Sequence, residues 1–179
     1  VAYLATFDGF VEDWNLAQGR LQAEILPEGV LRMEVGAVNS LPFAEARPYF
    51  GDFDVRLQAM PVDGPINNGY GLIFRLQNKG NSSPDDDDFY LFMVSSDGYY
   101  QVVRSVNGES RELSTWISSP AVIQAMGAIN VLRVVAQGDR FRFFVNGQPM
   151  QLCVPDDPTA RSTYNERTGE CLAGKMVDE

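Results

Sequence analysis

The stretch DFYLFMVSSDGYYQVVRSVNGESREL, residues 88–113, decides the fold class. Two runs rich in aromatic and β-branched residues, 89–95 and 99–106, are separated by Asp97-Gly98, and Asn107-Gly108 follows the second run. Asp-Gly and Asn-Gly pairs accept the positive φ angles of tight hairpin turns. The stretch therefore predicts three antiparallel strands in succession.

The same signals continue on both sides of this stretch. Gly138-Asp139 and Asn146-Gly147 predict two more hairpin turns, and apolar residues recur at every second position over 53–59 and 70–76. A short helical turn is predicted only over 120–128, where proline stands first. The sequence thus predicts an all-β fold, an antiparallel β-sandwich.

Length and charge exclude several classes of protein. The chain has 179 residues, which fits a single domain over 1–179. It carries 14 Lys and Arg against 24 Asp and Glu, a net charge of −10, so nucleic acid is not an expected partner. It contains no histidine, which excludes Ser-His-Asp and Cys-His catalysis and histidine metal sites.

Cys153 and Cys171 are the two cysteines of the chain, and they flank a polar loop. We predict a disulfide between them that closes the polar C-terminal segment 153–179, the alternative being two unrelated buried thiols. A disulfide implies an oxidising setting, here extracellular or at the cell surface. Residue 1 is Val, which suggests either a removed leader or a start inside a longer chain, and no apolar run is long enough for membrane insertion.

Several motifs are similar to one known fold family. They are NGYGLIFR at 68–75, DFYLF at 88–92, GYY at 98–100, NVLRVVAQG at 130–138 and FFVNG at 143–147. This pattern resembles the concanavalin A-like lectin/glucanase jelly roll, and its first two motifs resemble the bacterial 3-keto-disaccharide hydrolase-like domain. The resemblance implies a jelly roll, a fold that serves sugar binding, glycan cleavage, adhesion and assembly.

The chain departs from that family in two ways. Glucanases of this fold carry E-x-D-x-x-E on one strand, whereas the nearest run here is Asp52-Phe53-Asp54, with Leu57 where an acid is required. The family also ends with a Gly-led strand and a V-x-F-D-N strand, which are not seen before residue 179. We expect a fragment, strands on a second chain, or a strand donated by a neighbouring copy.

Five residues are candidates for carbohydrate binding because aromatic rings stack on sugars and polar side chains hold hydroxyl groups. They are Asn68, Arg75, Tyr90, Tyr100 and Trp116. Core packing explains the tyrosines equally well, and an ion pair, for example with an aspartate of 85–88, explains Arg75. Trp116 lies in the polar stretch 114–119 and is the aromatic residue expected to be exposed.

A run of four carboxylates, Asp85, Asp86, Asp87 and Asp88, is the candidate metal site. Calcium prefers such oxygen ligands, but the D-x-D-x-D-G spacing is absent, and a solvated acidic loop is the alternative.

These observations predict an extracellular, non-catalytic β-sandwich module for surface adhesion, assembly or glycan binding. Its expected partner is a glycan, another copy of itself or a second chain. One alternative is a carbohydrate-active hydrolase of the 3-keto-disaccharide type. Another is a filament subunit whose sheet is completed by a neighbouring strand.

Overall fold

The computed structural model describes residues 3–8, 12–16, 21–36, 41–78, 87–154, 164–165, 167, 170–172 and 176–178. These residues form strands and turns without a helix, so none of them belongs to a helix that could cross a membrane. The strands are β1 (Trp14–Asn15), β2 (Leu21–Leu26), β3 (Val30–Val35), β4 (Glu45–Ala46), β5 (Phe53–Ala59), β6 (Gly69–Gln77), β7 (Asp88–Ser95), β8 (Tyr99–Val106), β9 (Glu109–Ser118), β10 (Asn130–Gln137), β11 (Arg140–Val145), β12 (Gln148–Met150), β13 (Tyr164–Asn165) and β14 (Glu170–Cys171). The predicted all-β class is confirmed.

The chain groups into two compact units, Val1–Phe50 and Gly51–Glu179. The first unit contains two two-stranded antiparallel sheets, β1–β4 and β2–β3. In the β2–β3 hairpin, Gly29 takes a φ of +77°, and its N–H donates to the carbonyl oxygen of Leu26 at 3.0 Å. The single domain over 1–179 stays a prediction.

The second unit contains two four-stranded antiparallel sheets. Sheet I has the strand order β6-β7-β8-β9, and sheet II has the order β12-β11-β10-β5. Their inner faces share one hydrophobic core, which confirms the predicted β-sandwich. The short strands β13 and β14 pair separately.

Tight turns connect successive strands of these sheets, as the sequence predicts. Asn107 and Gly108 have φ angles of 52° and 78°, and Asn146 and Gly147 have 50° and 83°. Two successive positive φ angles are the mark of the type I′ turn, whose twist matches that of the flanking strands. These turns fix the register of β8 with β9 and of β11 with β12.

Aromatic side chains form the centre of the core. Phe92 of β7 and Phe143 of β11 are almost completely buried, and their ring centroids lie 5.0 Å apart. Phe74 of β6 contacts Phe143 at 6.2 Å and Tyr90 at 5.5 Å. Because side chains alternate along a strand, this packing fixes which residues of sheets I and II face outward.

The predicted helical turn over 120–128 is wrong. The segment instead makes two short turns, and the buried side chain of Asn130 organises the backbone there. Its Nδ2 donates to the Ile123 carbonyl oxygen and to Tyr70 Oη, both at 3.0 Å, and its Oδ1 accepts the Ile123 N–H at 2.9 Å. Asn146 Nδ2 donates to the same Oδ1 at 2.8 Å. Side-chain groups thus satisfy backbone groups that a helix would pair internally.

The predicted disulfide is confirmed: Cys153 and Cys171 are bonded, with their Cα atoms 5.7 Å apart. Next to it, the N–H of Cys153 donates to Ser114 Oγ, and the N–H of Thr115 donates to the Cys153 carbonyl oxygen, both at 3.1 Å. The backbone of Cys153 is therefore hydrogen-bonded to β9.

From the sequence we expect the final strands of the jelly roll to be missing, which would leave a sheet edge without its neighbouring strand. Within the described ranges, β5 pairs only with β10 and β6 only with β7. Leu152 and Val177 form an isolated antiparallel bridge, with N–H···O distances of 2.7 and 3.1 Å. The completion of a sheet by a strand from a second chain or a neighbouring copy stays a prediction.

We expect Asn130→Ala to lower the free energy of unfolding by about 2–3 kcal/mol, because it leaves buried hydrogen-bonding groups without partners. Chemical denaturation would measure the change. Gln137→Ala, at the exposed end of the same strand, is the control and should stay within about 0.5 kcal/mol of the wild type. Equal stability of both variants would contradict the role given to Asn130.

Reduction of the disulfide should lower the free energy of unfolding by about 3 kcal/mol, because the bond closes a loop with a sequence separation of 18 residues. Denaturation with and without a reductant would measure this difference. A Cys153→Ala/Cys171→Ala variant should match the reduced protein and should no longer respond to the reductant. An unchanged midpoint after complete reduction would contradict the expectation.

Candidate functional site

Trp116, the aromatic residue that the sequence predicts to be exposed, lies on the outer face of sheet I. Phe92 and Val94 of β7 point into the core, so Met93 between them points outward. On β8, Tyr100 and Val102 point into the core in the same way, so the Gln101 side chain lies on the outer side of the sheet, although it is buried there by its neighbours. We call this surface the Trp116 face; its members are Gly69, Met93, Tyr99, Gln101, Glu112 and Trp116.

The indole ring of Trp116 lies across the sheet. Trp116 belongs to β9, yet a Cβ atom on Gly69 of β6 would lie only 3.2 Å from its Cη2 atom. The same Cβ atom would lie 2.6 Å from Sδ of Met93. Glycine at position 69 therefore leaves the space in which the Trp116 ring and the Met93 side chain rest. Trp116 keeps 39% of its surface exposed, as the sequence predicts.

Polar groups lie on the same face. Nε2 of the buried Gln101 donates to Oε1 of Glu112 at 2.8 Å. This hydrogen bond fixes the amide and leaves the second carboxylate oxygen of the exposed Glu112 as an acceptor. Tyr99 is 39% exposed, and its strand partner Ser118 lies two residues after Trp116. The face thus combines a flat aromatic ring with hydrogen-bonding groups.

Asn68 is exposed and directly precedes Gly69, at the edge of the Trp116 face. Its backbone N–H donates to the Pro65 carbonyl oxygen at 3.1 Å, which holds the turn before β6. Of the five candidate carbohydrate residues, Asn68 and Trp116 are the two that the fold brings to this end of sheet I.

Tyr90 and Tyr100 lie on the opposite, inner side of sheet I. Tyr90 contacts Phe74 and Phe141 at centroid distances of 5.5 and 4.8 Å. Tyr100 is 3% exposed, and its hydroxyl donates to the Gln151 carbonyl oxygen at 2.6 Å. Burial raises the pKa of Tyr100 to about 12. Both rings pack in the core, the alternative that the sequence left open.

Arg75 lies at a β-bulge in β6, away from Trp116. Its φ is +53°, and the pairing of β6 with β7 shifts register between Phe74 and Gln77. Its guanidinium donates to the Gly138 carbonyl oxygen at 3.1 Å and lies 3.5 Å from Asp52 Oδ1. An ion pair of Arg75 therefore exists, and its partner among the described residues is Asp52; Asp85 and Asp86 lie outside those residues.

The candidate calcium site falls partly outside the described residues, which include Asp87 and Asp88 but not Asp85 and Asp86. Asp88 Oδ1 accepts the backbone N–H of Asn107 at 2.8 Å, a contact that fastens the β8–β9 turn. Asp87 is buried. In the described part of the chain, no three acidic or cysteine side chains come close enough to hold a metal ion.

The acidic pair nearest to a glucanase motif, Asp52 and Asp54, makes ion pairs. Arg133 binds Asp54 with two hydrogen bonds, at 2.7 and 2.6 Å. These bonds hold the pKa of Asp54 below its ordinary value, whereas an acid catalyst requires a raised pKa. Asp52 Oδ1 accepts the Gly138 N–H at 2.8 Å.

Gly69, Met93 and Glu112 were not among the predicted site residues. Period-two alternation assigns each of them to the outward side once one neighbour is placed in the core. Their proximity to Trp116 depends on the order of four strands, which the sequence signals only in part.

Comparisons of the chain with protein-family models, curated proteins and solved structures find no match. The resemblance to the concanavalin A-like jelly roll therefore stands on the sequence motifs, and the sandwich itself on the structure.

The burial of Tyr100 predicts a dependence on alkaline pH. Its pKa is raised above the unfolded value of about 10, so the stability it contributes is complete below pH 10 and is lost as the pH rises towards 12. Tyr100→Phe should cost about 1 kcal/mol at pH 7 through the lost hydrogen bond, and it should flatten this alkaline decrease. Denaturation between pH 7 and pH 12 would measure both effects; parallel profiles for the two proteins would contradict them.

Proposed function

We propose that this chain is an extracellular, non-catalytic β-sandwich module that binds glycans on its Trp116 face. The observation that carries the proposal is the position of the Trp116 ring, which rests across the sheet surface over Gly69 and remains 39% exposed. A ring held in this way offers a flat apolar surface to the C–H face of a sugar without first having to be ordered.

The polar groups beside the ring support a sugar ligand. Glu112 is held by Gln101 and keeps acceptor capacity for sugar hydroxyls. Tyr99 and Asn68 are exposed nearby and supply further donors and acceptors. A shallow face with one aromatic platform and a few polar groups fits a neutral oligosaccharide, whose hydroxyls need hydrogen bonds and whose ring needs apolar contact.

A binding role is favoured over hydrolysis by the state of the carboxylates. Asp54 is engaged by Arg133, and the chain lacks histidine. The disulfide is in keeping with an oxidising, extracellular setting.

Fluorescence of a single-tryptophan protein tests the proposal. The chain has two tryptophans, so Trp14→Phe leaves Trp116 as the sole indole reporter. Titration with a panel of neutral oligosaccharides should shift Trp116 emission to shorter wavelength as a sugar covers the ring. Trp116→Ala should weaken calorimetric binding about tenfold or more, since a stacked aromatic contact with its buried area is worth about 1.5 kcal/mol.

Two variants control this experiment. Tyr49→Ala removes an aromatic side chain that is 91% exposed in the other compact unit, and it should leave binding unchanged. Trp116→Phe should restore part of the affinity, because a smaller ring remains. If no oligosaccharide shifts the emission, or if Trp116→Ala binds as the wild type does, the proposed function is wrong.

A further inference from the structure

The outer face of sheet II carries a cluster of arginines. Val55, Val134 and Phe143 point into the core from β5, β10 and β11. Alternation therefore turns their neighbours outward, and the outward side chains include Arg56, Arg133 and Arg142, one on each of three adjacent strands. We call this surface, with Asp54 and Phe144, the arginine face.

Two of these arginines lie directly opposite each other. Arg56 and Arg133 are partners in the β5–β10 register, and Arg142 pairs with Val135 in the next outward row. Like charges at directly opposite positions destabilise a sheet. The fold therefore bears an electrostatic cost at this face.

Asp54 offsets only part of this charge. Both of its carboxylate oxygens are engaged by Arg133, at 2.7 and 2.6 Å. Arg56 lies two residues after Asp54 on the same side of β5, and Asp54 and Arg142 flank Val135 on its two sides. The charges of both arginines also help to keep the pKa of Asp54 low. Neither Arg56 nor Arg142 forms an ion pair with the part of the chain that the structure describes. Three cations and one anion leave a local charge of +2 in a chain of net charge −10.

Phe144 supports the centre of this face. The guanidinium carbon of Arg133 lies 5.0 Å from the Phe144 ring centroid, within the range of a cation–π contact. Arg133 is thus held by a carboxylate and by a ring, while the side chains of Arg56 and Arg142 remain exposed on either side. Within the described residues these two guanidinium groups make no hydrogen bond or ion pair, so their N–H groups can donate to a ligand.

We propose that the arginine face binds an anionic polysaccharide through the carboxylate or sulfate groups along its chain, at a site separate from the Trp116 face. A guanidinium donates two parallel hydrogen bonds to a carboxylate or sulfate group. Neighbouring strands lie about 4.8 Å apart, so the arginines of β5 and β11 lie on either side of the central strand, where a linear polymer that crosses the strands can contact both.

Two other occupants fit less well. Double-stranded DNA carries one charge per about 1.7 Å, a closer spacing than arginines on strands about 4.8 Å apart can match. A stable contact with a second protein copy needs an apolar centre. Phe144 is the one aromatic side chain of the arginine face and is already covered in part by Arg133.

Binding of the full chain to immobilised heparin and alginate, which present sulfate and carboxylate groups, tests this proposal. Arg56→Gln/Arg142→Gln should weaken binding to at least one of the two polymers about tenfold or more, because two exposed guanidinium groups are lost. Arg32→Gln/Arg47→Gln, two exposed arginines of the other compact unit, is the control with the same change in net charge and should bind as the wild type does. Trp116→Ala should retain this binding, so the two proposed sites can fail separately.

Three kinds of result would overturn the proposal. The first concerns binding itself: either neither polymer binds, or the two double-arginine variants are weakened equally. The second is a salt-sensitive oligomer, seen by light scattering, that Arg56→Gln/Arg142→Gln abolishes, since the occupant would then be a second copy. The third is a large loss of folding stability in Arg56→Gln/Arg142→Gln, which would show that these arginines serve the fold; the lost repulsion from Arg133 and the lost attraction to Asp54 oppose each other, so stability should change little.

Discussion

The contact between Phe92 and Phe143 across the two layers is the constraint on which the rest of the second unit depends. Side chains alternate along a strand, so burying Phe92 turns Met93 to the outer face of sheet I, and burying Phe143 turns Arg142 and Phe144 to the outer face of sheet II. A slip of one residue would exchange core and surface along the whole strand. Both candidate binding faces are therefore consequences of how the core is packed.

The sequence predicts those features that are encoded locally. Asn107-Gly108 and Asn146-Gly147 specify their turns by composition alone, because asparagine and glycine tolerate the positive φ angles that a type I′ turn requires. The exposure of Trp116 is likewise predicted from its polar surroundings. The predicted helical turn over 120–128 is wrong because the buried side chain of Asn130, which begins β10, hydrogen-bonds both the N–H and the carbonyl oxygen of Ile123.

Features that depend on which strands pair cannot be predicted from local sequence. The sequence assigns Arg56 and Arg133 to the polar sides of their strands, but it does not show that they lie opposite each other, because this depends on the pairing of β5 with β10. Arg75 shows the same limit: a bulge interrupts the period-two pattern, and its ionic partner Asp52 lies 23 residues earlier in the chain. Tyr90 could have been assigned to the core, since it lies two positions before Phe92 on the same side of β7.

The disulfide lies beside β9, the strand that carries Trp116. Cys153 accepts a hydrogen bond from the N–H of Thr115 and donates its own to Ser114 Oγ, so both contacts lie within two residues of Trp116. The register of β9 with β8 is irregular in this region, and regular ladder bonds alone do not hold it. The Cys153 backbone takes over part of that role, and Cys153 is itself bonded covalently to Cys171. The disulfide thus lies next to the part of β9 that carries Trp116.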